Sequence, residues 1–259
     1  MIQDVDGRTV GMVNVLTDIT KQKELDEVKN RFVSNVTHEL RTPIVAMQKA
    51  IEILQDKNAP PMTDVQQNFL GIIARNLQHL SRLVEDLLDM AKIESGKMRL
   101  KFMPARADKI VSDACDSLST WAKSKEISVE RDIDKCLPDI PVDSVKITQV
   151  LNNLIGNAIK FTPRGGKLFI SCGWGGDQVK VSVRDTGVGI AKENLPKLFG
   201  RFEQFGDQQG ISGTGLGLCI SKEIIDRHGG KIYAESEEKK GSTFTFTLPV
   251  KQQPVIGGA

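Results

Sequence analysis

The chain has 259 residues, of which 39% are hydrophobic and 26% charged, and its formal net charge is +2. This is the composition of an ordinary globular protein long enough for two domains, and its charge does not favour nucleic-acid binding. The four cysteines lack any C-x-x-C spacing, which argues against a zinc site or disulfide framework and fits a reducing compartment. Since no apolar run approaches the roughly 18 residues that span a bilayer, we expect a cytoplasmic location, with any membrane anchor lying upstream.

The first twenty residues predict a pair of strands. Asp6-Gly7 is a hairpin turn signal, and residues 10–16 form a short β-rich run. A two-stranded hairpin is not stable alone. We therefore expect residues 1–20 to be the end of a domain that begins upstream.

Two long helices are predicted next. Apolar residues recur at spacings of three and four over residues 25–54 and 65–91, which is one face of a helix in each case. Residues 58–61 (Asn-Ala-Pro-Pro) separate the helices, Thr63 is a predicted N-cap, and Ser95-Gly96 ends the second helix. One hairpin cannot cover both broad stripes, so the simplest assembly is a homodimer with a four-helix bundle. The alternative is an inert coiled-coil spacer.

His38 lies off the apolar stripe of the first helix. It is two residues from both Val36 and Leu40, and at about 100° per residue it is roughly 160–200° away from each. We therefore expect its imidazole to face solvent. Most lone surface histidines have no function, but an exposed imidazole beside Glu39 can act as an activated nucleophile. Pro43, five residues later, predicts a kink or compliant point.

From about residue 97 the pattern changes to strands and helices. We predict strands at residues 98–102, 127–132, 168–174, 178–184, 231–235 and 242–249, and helices at about 107–123, 144–161 and 216–227. These elements predict an α/β sandwich, in which helices cover one face of a mixed sheet. Residues 92–101 are the predicted hinge between the two regions, and residues 252–259 form a tail.

Asn153, Asn157 and Lys160 share one face of the helix predicted at residues 144–161. Amide oxygens suit Mg²⁺, which prefers hard oxygen ligands together with phosphates and water. A lysine can neutralise phosphate charge. The alternative is a set of surface or capping amides, but asparagine is unfavourable inside a helix, so two at this spacing indicate a function.

Glycine-containing segments supply further candidate binding elements. Residues 185–190 (Asp-Thr-Gly-Val-Gly-Ile) follow a strand, where the acid can accept a hydrogen bond from an amine such as that of adenine and the glycines permit close approach. Residues 213–218 open a helix and predict a phosphate site, although they match neither the Walker A nor the Rossmann pattern. The polar residues 203–212 suit a mobile lid. Gly241-Ser242-Thr243 begins the last strand and could approach the base.

In order and spacing, these elements resemble those of sensor histidine kinases. The resemblance covers an H-box at residues 32–43, an N-box at Asn153 and Asn157, G1, F and G2 boxes at residues 185–189, 199–202 and 213–217, and a third glycine box at residues 241–243. Residues 4–20 are similar to the last strands of a PAS sensor domain. The implied domains are a PAS remnant (1–20), a dimerisation and phosphotransfer hairpin (21–96), a GHKL-type ATP-binding domain with the Bergerat fold (97–250) and a tail (251–259).

The resemblance also implies a role for each residue near the predicted phosphoacceptor. His38 would accept the phosphoryl group, and Glu39 would orient the imidazole or take its proton. Arg41 and Thr42 would lie around the transferred group. Thr42, three residues after Glu39, also matches the family's arrangement for dephosphorylating a response regulator.

The nucleotide site follows from the same resemblance. Asn157 would be the main Mg²⁺ ligand, Asn153 and Lys160 would lie near the phosphates, Phe161 would flank the nucleotide, and Asp185 would bind adenine N6. The pocket and lid would be completed by Gly187, Gly189, Ile190, Gly213, Thr214, Gly215, Leu216, Gly217 and Thr243.

The implied function is autophosphorylation of His38 from ATP and Mg²⁺, followed by transfer to an aspartate on a separate response regulator. One departure is that Glu203-Gln204 follow the F-box, where some relatives carry a basic residue; Arg201 is a weak substitute. Two alternatives are another ATPase of the gyrase, chaperone and mismatch-repair group, and a silent dimeric scaffold that binds nucleotide or regulator. The former lack an H-box, and intact His38, Glu39, Asn157 and Asp185 argue against the latter.

Overall fold

The computed structural model of the protein describes residues 2–3, 9–11, 37, 40–54, 62–201, 203 and 215–251. Strands β1 (Ile2–Gln3) and β2 (Thr9–Gly11) pair antiparallel, with Ile2 opposite Gly11. A strand pair is thus present where one was predicted, while the turn at Asp6-Gly7 and residues 12–16 of the predicted β-rich run lie outside the described residues.

Two helices form the antiparallel hairpin. Helix α1 is described over residues 40–54, and α2 is Asp64–Glu94. The predicted N-cap of α2 is confirmed: Thr63 Oγ1 accepts a hydrogen bond from the Gln66 amide, and the Gln66 side chain accepts one from the Thr63 amide. The helix ends at the predicted Ser95. No helix within the described ranges is both long and apolar enough to cross a membrane.

The hairpin buries one row of apolar side chains between its two helices. It leaves a second set of apolar side chains, here called the uncovered seam, exposed. The buried seam repeats every seven residues and consists of Ile44 and Ile51 from α1 and Leu70, Leu77 and Val84 from α2. The exposed apolar side chains on the same two helices are Leu40, Val45, Met47, Ile53, Leu54, Val65, Phe69, Ile72, Ile73 and Leu80. An apolar surface of this extent on a two-helix unit is typical of an interaction face.

The second region is a mixed sheet with helices on one face. Its helices are α3 (Ala107–Ser124), α4 (Ser144–Phe161) and α5 (Gly217–Arg227). Its strands are β3 (Met103–Arg106), β4 (Ser128–Ile133), β5 (Asp139–Val142), β6 (Lys167–Gly175), β7 (Gln178–Asp185), β8 (Lys231–Glu237) and β9 (Gly241–Pro249). The main sheet has the order β4-β6-β7-β9-β8, in which only β4 and β6 are parallel. A two-stranded β3–β5 ladder lies beside it.

Buried and exposed side chains alternate along the strands, and the buried ones form the core of this domain. In β7, Val179, Val181 and Val183 are buried, while the residues between them are not. Inward-facing side chains of a sheet alternate in this way. They meet the apolar face of α4, where Leu151 and Leu154 are fully buried. The predicted α/β sandwich is confirmed.

Two differences from the predicted elements involve proline. The first strand lies at residues 103–106 rather than 98–102, and β5 was not predicted. Pro104 and Pro141 face each other across the β3–β5 ladder. Because proline cannot donate to a ladder, it argues against a strand in a sequence pattern and is tolerated only at edges such as this one.

The segment predicted as a hinge is packed against the second domain. Met98 is buried in the core of that domain, and its carbonyl accepts a hydrogen bond from Arg227 Nη1 at 3.0 Å. The Lys101 amide donates to Asp143 Oδ2 at 2.9 Å. The Phe102 ring packs edge-on against His228 at 5.1 Å between centroids. In this conformation the residues after α2 are held at several points.

Candidate functional site

Asn153 and Asn157 of α4 lie at the junction with α5. Asn153 Nδ2 donates to Ser221 Oγ at 2.9 Å, and Asn157 Nδ2 donates to Asn153 Oδ1 at 3.3 Å. A Cβ atom at Gly217 would overlap with the Asn153 amide, so a larger residue there would have to displace that amide. The contacts bring the predicted metal-binding helix against the start of the predicted phosphate helix. With its nitrogen directed at Asn153, Asn157 directs its oxygen away, as a ligand for a hard cation would.

Lys160 and Phe161 complete the same face at the end of α4. The Lys160 ammonium lies 5.0 Å from the centre of the Phe161 ring. Burial lowers the pKa of Lys160. An amine drawn partly out of water interacts more strongly with an anion than one at an exposed surface, which is the property needed beside phosphates.

Asp185 is a buried carboxylate held by the backbone. Its exposed fraction is 4%, and its Oδ1 accepts hydrogen bonds from the Gly187 amide at 2.7 Å and the Ser242 amide at 3.2 Å. Burial raises the pKa of Asp185, and these two backbone bonds act in the opposite direction. Both donors engage Oδ1, so Oδ2 is the oxygen that can accept from the amine of a base.

The loop after Asp185 rests on the β8–β9 hairpin. The Ile190 amide donates to Ser236 Oγ at 2.8 Å, and the Lys239 amide donates to the Val188 carbonyl at 2.6 Å. A cavity of about 460 Å³ opens beside this loop, lined by Pro163, Thr186, Gly187, Val188, Glu238 and Lys239. The loop is therefore fixed on one side and borders open space on another.

In the third glycine box, Ser242 rather than Thr243 faces the site. Ser242 is buried and donates its amide to Asp185. Thr243 lies opposite Arg184 of β7, and alternation along a strand puts it on the other face of the sheet. A shift of one residue reverses the face of a strand, so the contact of Thr243 with the base stays a prediction, while the Ser242 amide is the group seen beside Asp185.

The remaining predicted residues are distributed as follows. Gly189, Ile190, Gly215 and Gly217 are partly buried and Leu216 is buried. Arg41 and Thr42 are exposed in α1, just after the fully buried Thr37. A cavity of about 160 Å³ between α1 and α2 is lined by Arg41, Ile44, Val45, Gln48, Ser81, Val84 and Glu85. His38, Glu39, Gly213 and Thr214 lie outside the described residues.

An acidic residue missed by the sequence reasoning joins the two domains. Asp89 of α2 is buried, and its Oδ2 accepts hydrogen bonds from Lys146 Nζ at 2.7 Å and Gln149 Nε2 at 2.9 Å. Arg201, the weak substitute for a basic residue after the F-box, pairs with Glu94 at the end of α2, at 2.6 Å. The sequence does contain a sign of the buried Asp89, since it is an acid inside the otherwise apolar run Leu-Leu-Asp-Met-Ala at residues 87–91.

Comparison with known proteins matches both regions. The family described as His Kinase A (phospho-acceptor) domain matches residues 28–96. The family described as histidine kinase-, DNA gyrase B-, and HSP90-like ATPase matches residues 142–252. The chain is 36% identical to the sensor histidine kinase WalK of Bacillus subtilis (strain 168), an alignment that covers 98% of this chain and 42% of that protein.

Solved structures resemble the protein over similar ranges. The catalytic domain of histidine kinase ThkA has a TM-score of 0.52 and 32% identity, covering 58% of this chain and 96% of that one. Full-length ShkA in complex with AMPPNP has a TM-score of 0.69 and 26% identity, covering 87% of this chain and 47% of that one. The chain thus spans less than half the length of WalK and of ShkA.

Proposed function

The chain belongs to the sensor histidine kinases of two-component systems, and from this premise we propose that it binds ATP and Mg²⁺ in its second domain and phosphorylates its own His38. The observation that carries the proposal is the buried Asp185, whose Oδ1 is fixed by two backbone amides while Oδ2 can select an adenine amine. The ShkA structure holds an ATP analogue, AMPPNP, on a similar fold.

In the proposed reaction an imidazole nitrogen of His38 attacks the γ-phosphorus of ATP. A nitrogen–phosphorus bond forms, the bond from the γ-phosphorus to the bridging oxygen breaks, and ADP leaves with that electron pair. Glu39 accepts the proton that the imidazole releases. Such a transfer depends mainly on in-line positioning and charge stabilisation.

The chain's own residues supply both the positioning and the charge stabilisation. Mg²⁺, when bound, neutralises phosphate charge, and the amide oxygen of Asn157 would hold it. Lys160, with Asn153 on the same face, lies near the phosphates, and the amides at the start of α5 add donors. Phe161 flanks the nucleotide, and residues 203–212 would serve as the lid over it. The pocket is shaped by Gly187, Gly189, Ile190, Gly213, Thr214, Gly215, Leu216, Gly217 and Thr243, and the Ser242 amide adds a donor beside Asp185.

We further propose that phosphorylated His38 passes its group to an aspartate on a separate response regulator, with Arg41 and Thr42 beside the transferred phosphoryl. Both side chains are exposed on α1, as a docking partner requires. In the reverse role, Thr42 would orient the water that dephosphorylates the regulator.

A homodimer formed by residues 21–96 is part of the same proposal. The uncovered apolar seam of α1 and α2 supports it, since pairing two hairpins into a four-helix bundle would bury that seam. Residues 97–250 would then be the catalytic domain and 251–259 a tail. The β1–β2 pair supports the reading of residues 1–20 as the end of a PAS domain.

Incubation with γ-labelled ATP and Mg²⁺ tests the kinase activity. We expect label on the protein that is acid-labile and alkali-stable, as a phosphoramidate is, and no label on His38→Gln. A folded wild-type protein that binds ATP but takes up no label would instead be a nucleotide-binding scaffold, and the proposal would be wrong.

A further inference from the structure

Lys125 follows α3 directly, and its ammonium reaches the end of another helix. Lys125 Nζ donates to the backbone carbonyl oxygens of Ile159, Lys160 and Thr162 at 2.8, 3.0 and 2.9 Å. These oxygens belong to the last turn of α4 and its C-cap. The final carbonyls of a helix have no partner within it and carry the negative end of its dipole. The Lys125 ammonium has three N–H donors and a positive charge. It therefore gives these carbonyls their hydrogen-bond partners and also opposes the negative end of the helix dipole.

The backbone reinforces this contact. The Lys125 carbonyl accepts a hydrogen bond from the Gly165 amide at 3.1 Å, and the Ser128 amide donates to the Gly166 carbonyl at 3.0 Å. The turn between α3 and β4 is therefore tied to the turn between α4 and β6. Burial lowers the pKa of Lys125, as expected for an amine withdrawn from water to make these bonds.

The end of α4 supports the loop that follows Asp185. A Cβ atom at Gly187 would lie 2.6 Å from the Phe161 carbonyl oxygen and 2.7 Å from Asp185 Oδ1, so loop and helix end are in direct contact. Thr162, the next residue, is buried, and its hydroxyl donates to the Ala158 carbonyl at 2.6 Å. Lys125 thus holds the carbonyls on either side of Phe161, while the Phe161 carbonyl faces the loop.

We propose that Lys125 is a positioning residue for the adenine end of the nucleotide, which it fixes by bracing the last turn of α4 beneath Gly187 and Asp185. The inference rests on the proposed ATP site. Of the residues placed near the phosphates, Asn153 has a separate support from Ser221 of α5, more than a turn before the carbonyls that Lys125 binds, whereas Lys160 lies in the braced turn itself. A contact that holds ATP equally in the ground state and the transition state affects KM alone, so loss of the ammonium should weaken ATP binding and leave the rate at saturating ATP nearly unchanged.

The test measures autophosphorylation of the full chain against ATP concentration in Lys125→Met. We expect KM for ATP to rise about 10-fold, with the rate at saturating ATP within about twofold of wild type. Lys123→Met, an exposed lysine two residues earlier on α3, is the matched control and should leave both values unchanged. Lys125→Arg keeps a cation with several donors and should bind ATP more tightly than Lys125→Met.

A merely structural lysine would behave differently, because unfolding of a fraction of the protein lowers the saturated rate and leaves KM unchanged. That result, or a wild-type KM in folded Lys125→Met, would overturn the inference. If Lys125→Met does not fold, Lys125→Gln, which keeps an amide donor, is measured in the same way. It is judged by the same comparison of KM for ATP with the rate at saturating ATP. A wild-type protein that fails to bind ATP would overturn the nucleotide site itself, and this inference with it.

Discussion

Replacing Asp185 by asparagine separates recognition of the base from stability of the fold. The asparagine oxygen can take the place of Oδ1 and keep the hydrogen bonds from the Gly187 and Ser242 amides. Its NH₂ group then takes the place of Oδ2 and presents a donor to the adenine amine, which is also a donor. Losing a hydrogen bond to a charged group costs about 1.5–3 kcal/mol, so ATP should bind about 10- to 150-fold more weakly.

The same change should not destabilise the protein without nucleotide. Because burial raises the pKa of Asp185, the folded state holds its proton more tightly than the unfolded chain does. The contribution of this group to stability is therefore greatest at low pH and is lost as the pH rises through the ordinary carboxyl range towards the raised value. At neutral pH the neutral asparagine avoids this cost, and we expect Asp185→Asn to melt no lower than wild type.

Calorimetric titration with ATP and inosine triphosphate, which has a carbonyl in place of the adenine amine, provides the assay. Wild type should prefer ATP, and Asp185→Asn should prefer inosine triphosphate, because its NH₂ can donate to that carbonyl. Asp177→Asn, in the exposed β6–β7 turn, is the control and should change neither affinity. An equal loss for both nucleotides in Asp185→Asn would refute the contact between Asp185 and the base.

Further predictions concern the domain junction, acid sensitivity and the dimer. In a double-mutant cycle of Asp89→Ala and Lys146→Met, denaturant unfolding should give a coupling of about 1–3 kcal/mol, because the pair is largely buried. Burial lowers the pKa of His228, whose Nε2 accepts from the Asp143 amide. The stability it contributes should be complete above its ordinary pKa of about 6.5 and fall as the pH drops below that, so His228→Gln should lose less stability than wild type between pH 7.5 and 5.5. Phe69→Glu, on the uncovered seam, should yield monomers in light scattering.

Each of these predictions has a matched comparison. The exposed pair Lys222–Asp226 on α5 should show a coupling of only about 0.3–0.5 kcal/mol, and an equally small value for Asp89 and Lys146 would contradict the buried junction. An unchanged loss of stability on acidification in His228→Gln would show that other groups cause it. Val145→Glu places a charge on an apolar residue outside the hairpin; if it dissociated the dimer as Phe69→Glu does, the seam would not be the interface.

The helices were predictable because their signals are local. Thr63 with Gln66 marks the start of α2, and Asp143 caps α4, with its Oδ1 accepting from the Lys146 amide at 3.2 Å. Strands β3 and β5 were not predictable, since Pro104 and Pro141 oppose strand assignment and the pairing depends on partners far apart in the chain.

In the candidate site, too, local patterns were predictable from the sequence and contacts between distant residues were not. Asp185, Asn153 and Asn157 stand out in the sequence by residue type and spacing, and the structure places them on α4 and at the end of β7. The contributions of Lys125 and Asp89 come from bonds that span 34 to 60 residues. Periodicity and capping report only neighbours within a few residues, so these contacts become visible only in three dimensions.

Helix α5 acts as a strut between the nucleotide and the link between the two domains. Its first residue, Gly217, adjoins the predicted phosphate loop, while Arg227 and His228 at its other end hold Met98 and Phe102. Eleven helical residues form a rod of roughly 16 Å. Because contacts fix both ends of the rod, a tilt at its phosphate end would also move Met98 and Phe102, the residues that follow α2.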